Sequence, residues 1–370
     1  MVQPDYRILI LLVLSIPIAL AQTVTIDDGD AGYATTPGSG GVWGNSVHAC
    51  GNAGDYDFET TAVPDQTANW TPVIPSAGIY QVFVHWCVHS ARPDAVPYTI
   101  NHSSGATVVT VDQTKNATGS VVADFTASGF RSLGTFFFAV GAGHHVKLDT
   151  SDTGDVSADA VRFVRMATTF FVDDDGVCGG NLPCYTTIQA AIDAASDGDF
   201  VVVYPGTYDE NIVITKELRI SGTGTPKIFP SGGTDAVKID ADNVIFQNLE
   251  IDASNVGEQG IDVDPSDNIE LKNLEISSST NTPDHLILLR DSTNILVYNV
   301  KLTGPGSSLV FGNTQGIRGE NVVNVTILKV RIKDMAHHAI DILFSRNIRI
   351  DDVEINSLDF SGVCTPPFTG

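Results

Sequence analysis

The chain has 370 residues, enough for two domains. Its 44 Asp+Glu outweigh 20 Lys+Arg and give a net charge of −24, which disfavours nucleic acid or anionic lipid as a partner. Such a surface suits cation binding or plain solvation. Beyond residue 21 no apolar stretch could cross a membrane.

Residues 1–21 read as a secretory signal. Arg7 precedes the apolar run Ile8–Leu20, and Ala19-Leu20-Ala21 fits a small-x-small cleavage site. Cleavage would leave an extracellular or cell-surface protein, periplasmic in a diderm host, with no spanning segment; an uncleaved anchor is the alternative. Five cysteines fit an exported chain. The expected bridges are Cys50 with Cys87 and Cys178 with Cys184, leaving Cys364 without a partner.

Residues 23–165 alternate short strands with Gly, Pro, Asn and Ser clusters, which predicts an antiparallel β-sandwich. Ile79–Val88 sends Tyr80, Val82, Val84 and Trp86 to one face. A sugar ring presents an apolar C–H face, so a glycan site needs an exposed aromatic plate with polar groups around it. Trp43, among Gly and Ser, is the candidate plate, with Tyr33 and Tyr56 as flanking groups. Trp70 and Trp86 fall in alternating strands and read as core. Asp27, Asp28 and Asp30, with Asp152 and Asp155, are hard oxygen ligands that suit Ca²⁺; Asp-Gly turns explain them equally well.

This region resembles the carbohydrate-binding-like domain of golvesin and xanthan lyases. The matching residues are Asp27-Asp28-Gly29-Asp30 with Gly32-Tyr33, Ala68-x-Trp70-x-Pro72, Gly78-x-Tyr80-x-Val82-x-Val84-x-Trp86, Pro97-Tyr98-Thr99-Ile100 and Ala158-Asp159-Ala160-Val161-Arg162-Phe163-Val164. The resemblance implies a binding module for polysaccharide or cell-surface glycan.

Residues 170–370 form the second predicted domain. Asp173, Asp174 and Asp175 open it as a solvated turn or a cation site. Thr186 and Gln189 suggest a capping box, and Ile188, Ala191, Ile192 and Ala195 make one apolar face. A short helix is expected there, plugging the open end of a solenoid.

One motif then recurs from Asn243, Asn268, Asn294, Asn324 and Asn347, advancing by 25, 26, 30 and 23 residues. Apolar residues stand at offsets one, three, six and eight: alternation, a bend, alternation again. A second strand precedes each Asn, with inward pairs Val237/Ile239, Ile261/Val263, Ile287/Leu289, Ile317/Gly319 and Ile340/Ile342. Stacked coils bury what one coil cannot, so the fold class is a β-sandwich followed by a parallel β-helix. Asn248, Asn273 and Asn299 should stack as a ladder at the bend. Tyr185–Ala195 and Gly198–Tyr208 resemble the entry to pectin-lyase-like right-handed β-helix proteins, a resemblance that specifies fold and not reaction. No second plug follows Ile355, so the β-helix reads as C-terminally incomplete or covered by a further domain or subunit.

Outward positions of the second strand set run Lys238, Asp262, Leu288, Arg318 and Asp341. Asp262 and Asp341 are three rungs apart, about 14 Å, too far for a glycosidase pair. Arg318 beside Asp341 resembles the arginine and calcium-carboxylate sites of pectate lyases; a cross-rung ion pair is the structural alternative. His337 and His338 just precede that strand as general acid or base candidates. The Asp-Asp and Gly-His-Gly elements of polygalacturonases are missing between Asn281-Thr-Pro-Asp284 and Arg331-Ile-Lys333. The leading expectation is therefore a secreted or surface polysaccharide-binding protein. A lyase or hydrolase of uronate polymers and a structural adhesin are the alternatives, and catalysis stays open.

Overall fold

The computed structural model of the protein describes residues 22–36, 43–59, 66–150, 155–306 and 314–358. The expected signal segment at 1–21, Asp152 and Cys364 lie outside them. The chain divides into two compact units between Ala167 and Thr168.

In the first unit the alternating segment Gly78–Val84 is central to a four-stranded antiparallel sheet. It lies between Val161–Arg165 and Arg131–Phe138, with Thr23–Ile26 at the edge. A five-stranded antiparallel sheet runs in the order Tyr33–Thr36, Thr67–Trp70, His145–Asp149, Val96–His102, Gly105–Val111. Tyr80, Val82, Phe138 and Phe163 from the first sheet and Trp70, Tyr98, Ile100 and Leu148 from the second share one buried core. Both buried indoles are satisfied: Trp70 Nε1 donates to the Asp159 carbonyl at 2.7 Å and Trp86 Nε1 to the Lys115 carbonyl at 3.1 Å. Two small ladders complete the unit. One joins Trp43–Ser46, Tyr56–Glu59 and Ser157–Ala158, and the other joins Cys87–Val88 to Thr126–Ala127.

The second unit is a parallel stack. Asp199–Val203, Leu218–Gly222, Ile245–Gln247, Asp267–Lys272, Thr293–Tyr298, Val323–Met335 and Arg346–Leu358 pair in parallel. A second column, Ile212–Ile214 to Ile340–Leu343, carries the expected inward residues in register: Val237, Ile261, Ile287, Ile317 and Ile340 align rung by rung. These aliphatics join one continuous core.

The repeated asparagines have a backbone cause. Asn243, Asn268, Asn294, Asn324 and Asn347 all have φ between 55° and 59°, and Asn248, Asn273 and Asn299 between 53° and 60°. A left-handed residue turns the chain at each corner, and Asn tolerates that conformation better than most residues. At the bend Asn273 Nδ2 donates to Asn248 Oδ1 at 2.9 Å and Asn299 Nδ2 to Asn273 Oδ1 at 2.8 Å. The next two coils place Lys329 and Asp352 there, again with positive φ.

The helix forms over Ile188–Ala194 with Ile188, Ala191 and Ile192 buried. Its N-cap is Thr187, not Thr186, and Thr187 Oγ1 accepts from the Ala190 amide. Gln189 closes no capping box. Glu210 from the next coil accepts from the Ile188 and Gln189 amides at 2.7 and 2.8 Å, which leaves Gln189 free to pair with the Val213 backbone. Tertiary contact supplies what the local motif was expected to supply.

Candidate functional site

The cysteines pair as Cys50–Cys87 and Cys178–Cys184. Asp173, Asp174 and Asp175 accept from the amides of Cys178, Thr207 and Val177, so this acidic run braces turns.

The three aromatics expected to meet sugar are not a shared exposed plate. Tyr56 is only 3 % exposed, under the Arg92 guanidinium at 5.4 Å; burial removes it from contact with a ligand. Trp43 is half-buried, packs on the sandwich core and keeps its Nε1 buried, with no acceptor among the described residues. Tyr33 is also half-buried. Its ring lies 5.5 Å from Trp70 and its hydroxyl donates to Asp57 Oδ2 at 2.9 Å. Burial, then the Asp57 charge, push its phenol pKa up.

An exposed plate does exist, at a residue the alternation pattern passed over. Phe125 is 46 % exposed and has φ +60°, a conformation that costs a bulky residue free energy. Its ring stacks on His48 at 4.3 Å and 23°, and meets the His89 ring at 4.9 Å. Asp124 accepts from the Ser90 amide at 2.6 Å and the Ser90 hydroxyl at 3.0 Å, and stands 3.7 Å from His89 Nε2. The Ser90 amide, chiefly, holds the Asp124 carboxyl below its ordinary range. Three loops build this platform. The Cys50–Cys87 bridge ties the His48 loop to the strand preceding His89, and that strand pairs with Thr126–Ala127 beside Phe125. The available sequence signal was an aromatic beside an acid, outside any alternating strand.

The acidic corner also differs from expectation. Asp30 Oδ2 accepts from the Asp27 amide at 2.9 Å and serves the turn. The carboxylate gathered with Asp27 and Asp28 is Asp159, with ligand atoms within 4.8 Å of one another. Asp159 also receives the Asn52 amide at 3.1 Å and His85 Nδ1 at 2.6 Å. Burial, then the Asp159 charge, push the Asp28 carboxyl up to about 8. Burial also pushes Asp27 up to about 6, against an opposing hydrogen bond from Asn52. Oxygen-only donors of this kind can hold a hard cation.

On the β-helix, Arg318 Nη1 pairs with Asp341 Oδ2 at 2.5 Å, and Arg318 Nη2 stands 4.0 Å from Glu320. His338 Nδ1 is 3.8 Å from the same Asp341 oxygen, and its ring lies 4.1 Å from that of His337. The four expected residues thus share one patch. Two rungs before Arg318, Asp262 is buried, and among the described residues its Oδ1 accepts no hydrogen bond. Burial, then the Asp235 charge, push its carboxyl up to about 6. Arg290 is committed to Asp264 at 2.7 Å and is 3.9 Å from Asp262. A groove of about 310 Å³ runs along the bend, lined by Asn273, Asn299, Lys301, Lys329, Arg331 and Glu354 among others.

Residues 24–165 match the Golvesin C-terminal domain model, and residues 209–365 match the right handed beta helix region model. The chain is 31% identical over 148 residues to the xanthan lyase of Bacillus sp. (strain GL1), covering 39% of this chain and 15% of that protein. It therefore spans a small fraction of this relative's length. Similar solved structures include a Paenibacillus xanthan lyase (28% identity, TM-score 0.35, covering 40% of this chain and 13% of that one). Another is the family 35 carbohydrate binding module of Clostridium thermocellum (13% identity, TM-score 0.28, covering 38% and 98%). The chain is a golvesin/xanthan lyase-like β-sandwich domain followed by a right-handed parallel β-helix.

Proposed function

We propose that the protein is an exported polysaccharide-binding protein whose sandwich holds a sugar ring on Phe125. The observation that carries this reading is the exposed Phe125 ring set between two imidazoles, with the Asp124 carboxylate beside it. An aromatic face takes the C–H side of a pyranose, while imidazole nitrogens and a carboxylate serve its hydroxyls. The likeness to a xanthan lyase supports a glycan as the ligand class, and two disulfides suit an oxidising compartment. Among the described residues no helix is long and apolar enough to cross a membrane. The bend groove, with Lys301, Lys329 and Arg331, offers the outer wall of the β-helix to a longer chain.

A second reading rests on the Arg318–Asp341–His338 patch, which places a cation, a carboxylate and an imidazole together on the β-helix. It would make the protein a lyase or hydrolase of uronate polymers. A glycan array with the intact protein, followed by assays for reducing ends and unsaturated uronate absorbance, separates these readings. Binding without turnover is the expected result. Turnover abolished by Arg318→Ala would establish the enzyme, and no glycan interaction at all would leave a structural adhesin.

A further inference from the structure

Asp27 and Asp28 follow the first strand of the sandwich, Thr23–Ile26, and Asp159 precedes one of its last strands, Val161–Arg165. Those two strands pair directly, so the corner they share gathers three carboxylates. Asp27 and Asp28 are 8 % and 7 % exposed, and Asp159 is fully buried. Among the described residues nothing donates a hydrogen bond to Asp27 Oδ1 or Asp28 Oδ1. Burying a carboxylate oxygen without a partner is costly, and the nearby Asp159 carboxylate adds mutual repulsion. The turn geometry does not explain them: the turn is closed by Asp30, whose side chain takes the Asp27 amide.

We propose that Asp27, Asp28 and Asp159 bind one hard divalent cation, Ca²⁺ by chemistry, and that this ion staples the end of the first strand to the entry of the last. The donors are all oxygens. The imidazole nearest the cluster, His85, points its Nδ1 at Asp159 and acts as a partner of the ligand. Ligand atoms within 4.8 Å of one another are close enough for one ion to bridge, and Ca²⁺ takes several carboxylates at once where Mg²⁺ keeps most of its waters. Asp159 also ties the site to the fold around it, since its carbonyl receives Trp70 Nε1 and its carboxylate the Asn52 amide. The inference is independent of the glycan reading.

The test uses the full chain, stripped with chelator and titrated with Ca²⁺ and, separately, Mg²⁺ by calorimetry near neutral pH, with thermal melts alongside. The expected result is one saturable Ca²⁺ per chain, a higher melting temperature for the sandwich, and a weaker response to Mg²⁺. Asp28→Asn and Asp27→Asn should each weaken Ca²⁺ binding about tenfold or more and abolish the melting shift. Asp94→Asn, at an exposed position, should leave both unchanged. Asp28→Asn should fold at least as well as the stripped parent, because it removes a buried charge. Absence of saturable binding overturns the inference. Equal binding by the parent and both variants also overturns it, since the heat then belongs to the acidic surface.

Discussion

The Phe125 ring lies 4.3 Å from the His48 ring and within 23° of parallel to it, while its own backbone sits at φ +60°. A strained, half-exposed aromatic held by flanking rings has little to offer the core. Phe125→Ala should therefore weaken glycan binding about tenfold with little loss of fold, measured by affinity electrophoresis or calorimetry. Phe125→Gly should bind as poorly yet be more stable than Phe125→Ala by about 0.5–1 kcal/mol, because glycine accepts the left-handed backbone. Equal stability of the two variants in urea would refute the strain argument.

The Cys50–Cys87 bridge closes a loop with a sequence separation of 37 and links two of the platform's loops. Replacing both cysteines by serine should cost about 3–4 kcal/mol in denaturant unfolding. It should also lower glycan affinity at temperatures where the variant stays folded. An affinity unchanged under those conditions would separate the bridge from the platform.

Asp28 and Asp27 titrate upward in the folded chain, to about 8 and about 6. Their folded values lie above the ordinary carboxylate value of 3.8, so the folded state binds more protons than the unfolded one. Their stabilising effect is present in full below about pH 4 and is lost as pH rises through about 6 and then about 8. In chelator, the sandwich should lose thermal stability across that window, and Asp28→Asn should flatten the slope. Saturating Ca²⁺ should remove the slope as well, by supplying the positive charge the protons gave.

Arg318 and Asp341 are partly buried and paired across a rung. Arg318→Ala should cost the β-helix about 1–2 kcal/mol, since it leaves a carboxylate without its partner. Binding of glycan by the sandwich should not change. Abolition of measured turnover would instead place Arg318 among the catalytic residues.

Asn273 donates to Asn248, accepts from Asn299 and sits at φ 53°. Asn273→Ala loses both bonds and meets the left-handed penalty, for an expected loss of about 2–3 kcal/mol. Asn273→Gly keeps the backbone and should lose about 1 kcal/mol less. The comparison in chemical denaturation tells backbone from ladder.

Much of the fold was legible because its causes are local and repeated. Corners that need a positive φ select Asn at a fixed spacing, and period-two alternation marks which side of each strand is dry. Val237, Ile261, Ile287 and Ile317 stack as their spacing implied. The sites were less legible because they join segments far apart in the chain. Nothing near Thr187 announces that Glu210 will cap the helix, nothing around Trp43 reveals that the core covers it, and Asp30 looks as good a ligand as Asp159 until the strands pair.

The one-dimensional order of residues thus determined the two architectures, the alternation within each strand and the corners of the solenoid, since each depends on backbone preference and burial over a few neighbouring positions. The tertiary structure alone decided that Phe125 meets His48 and His89, and that Asp159 joins Asp27 and Asp28. Those meetings are set by strand order and loop closure, and the free energy that enforces them comes from the whole core.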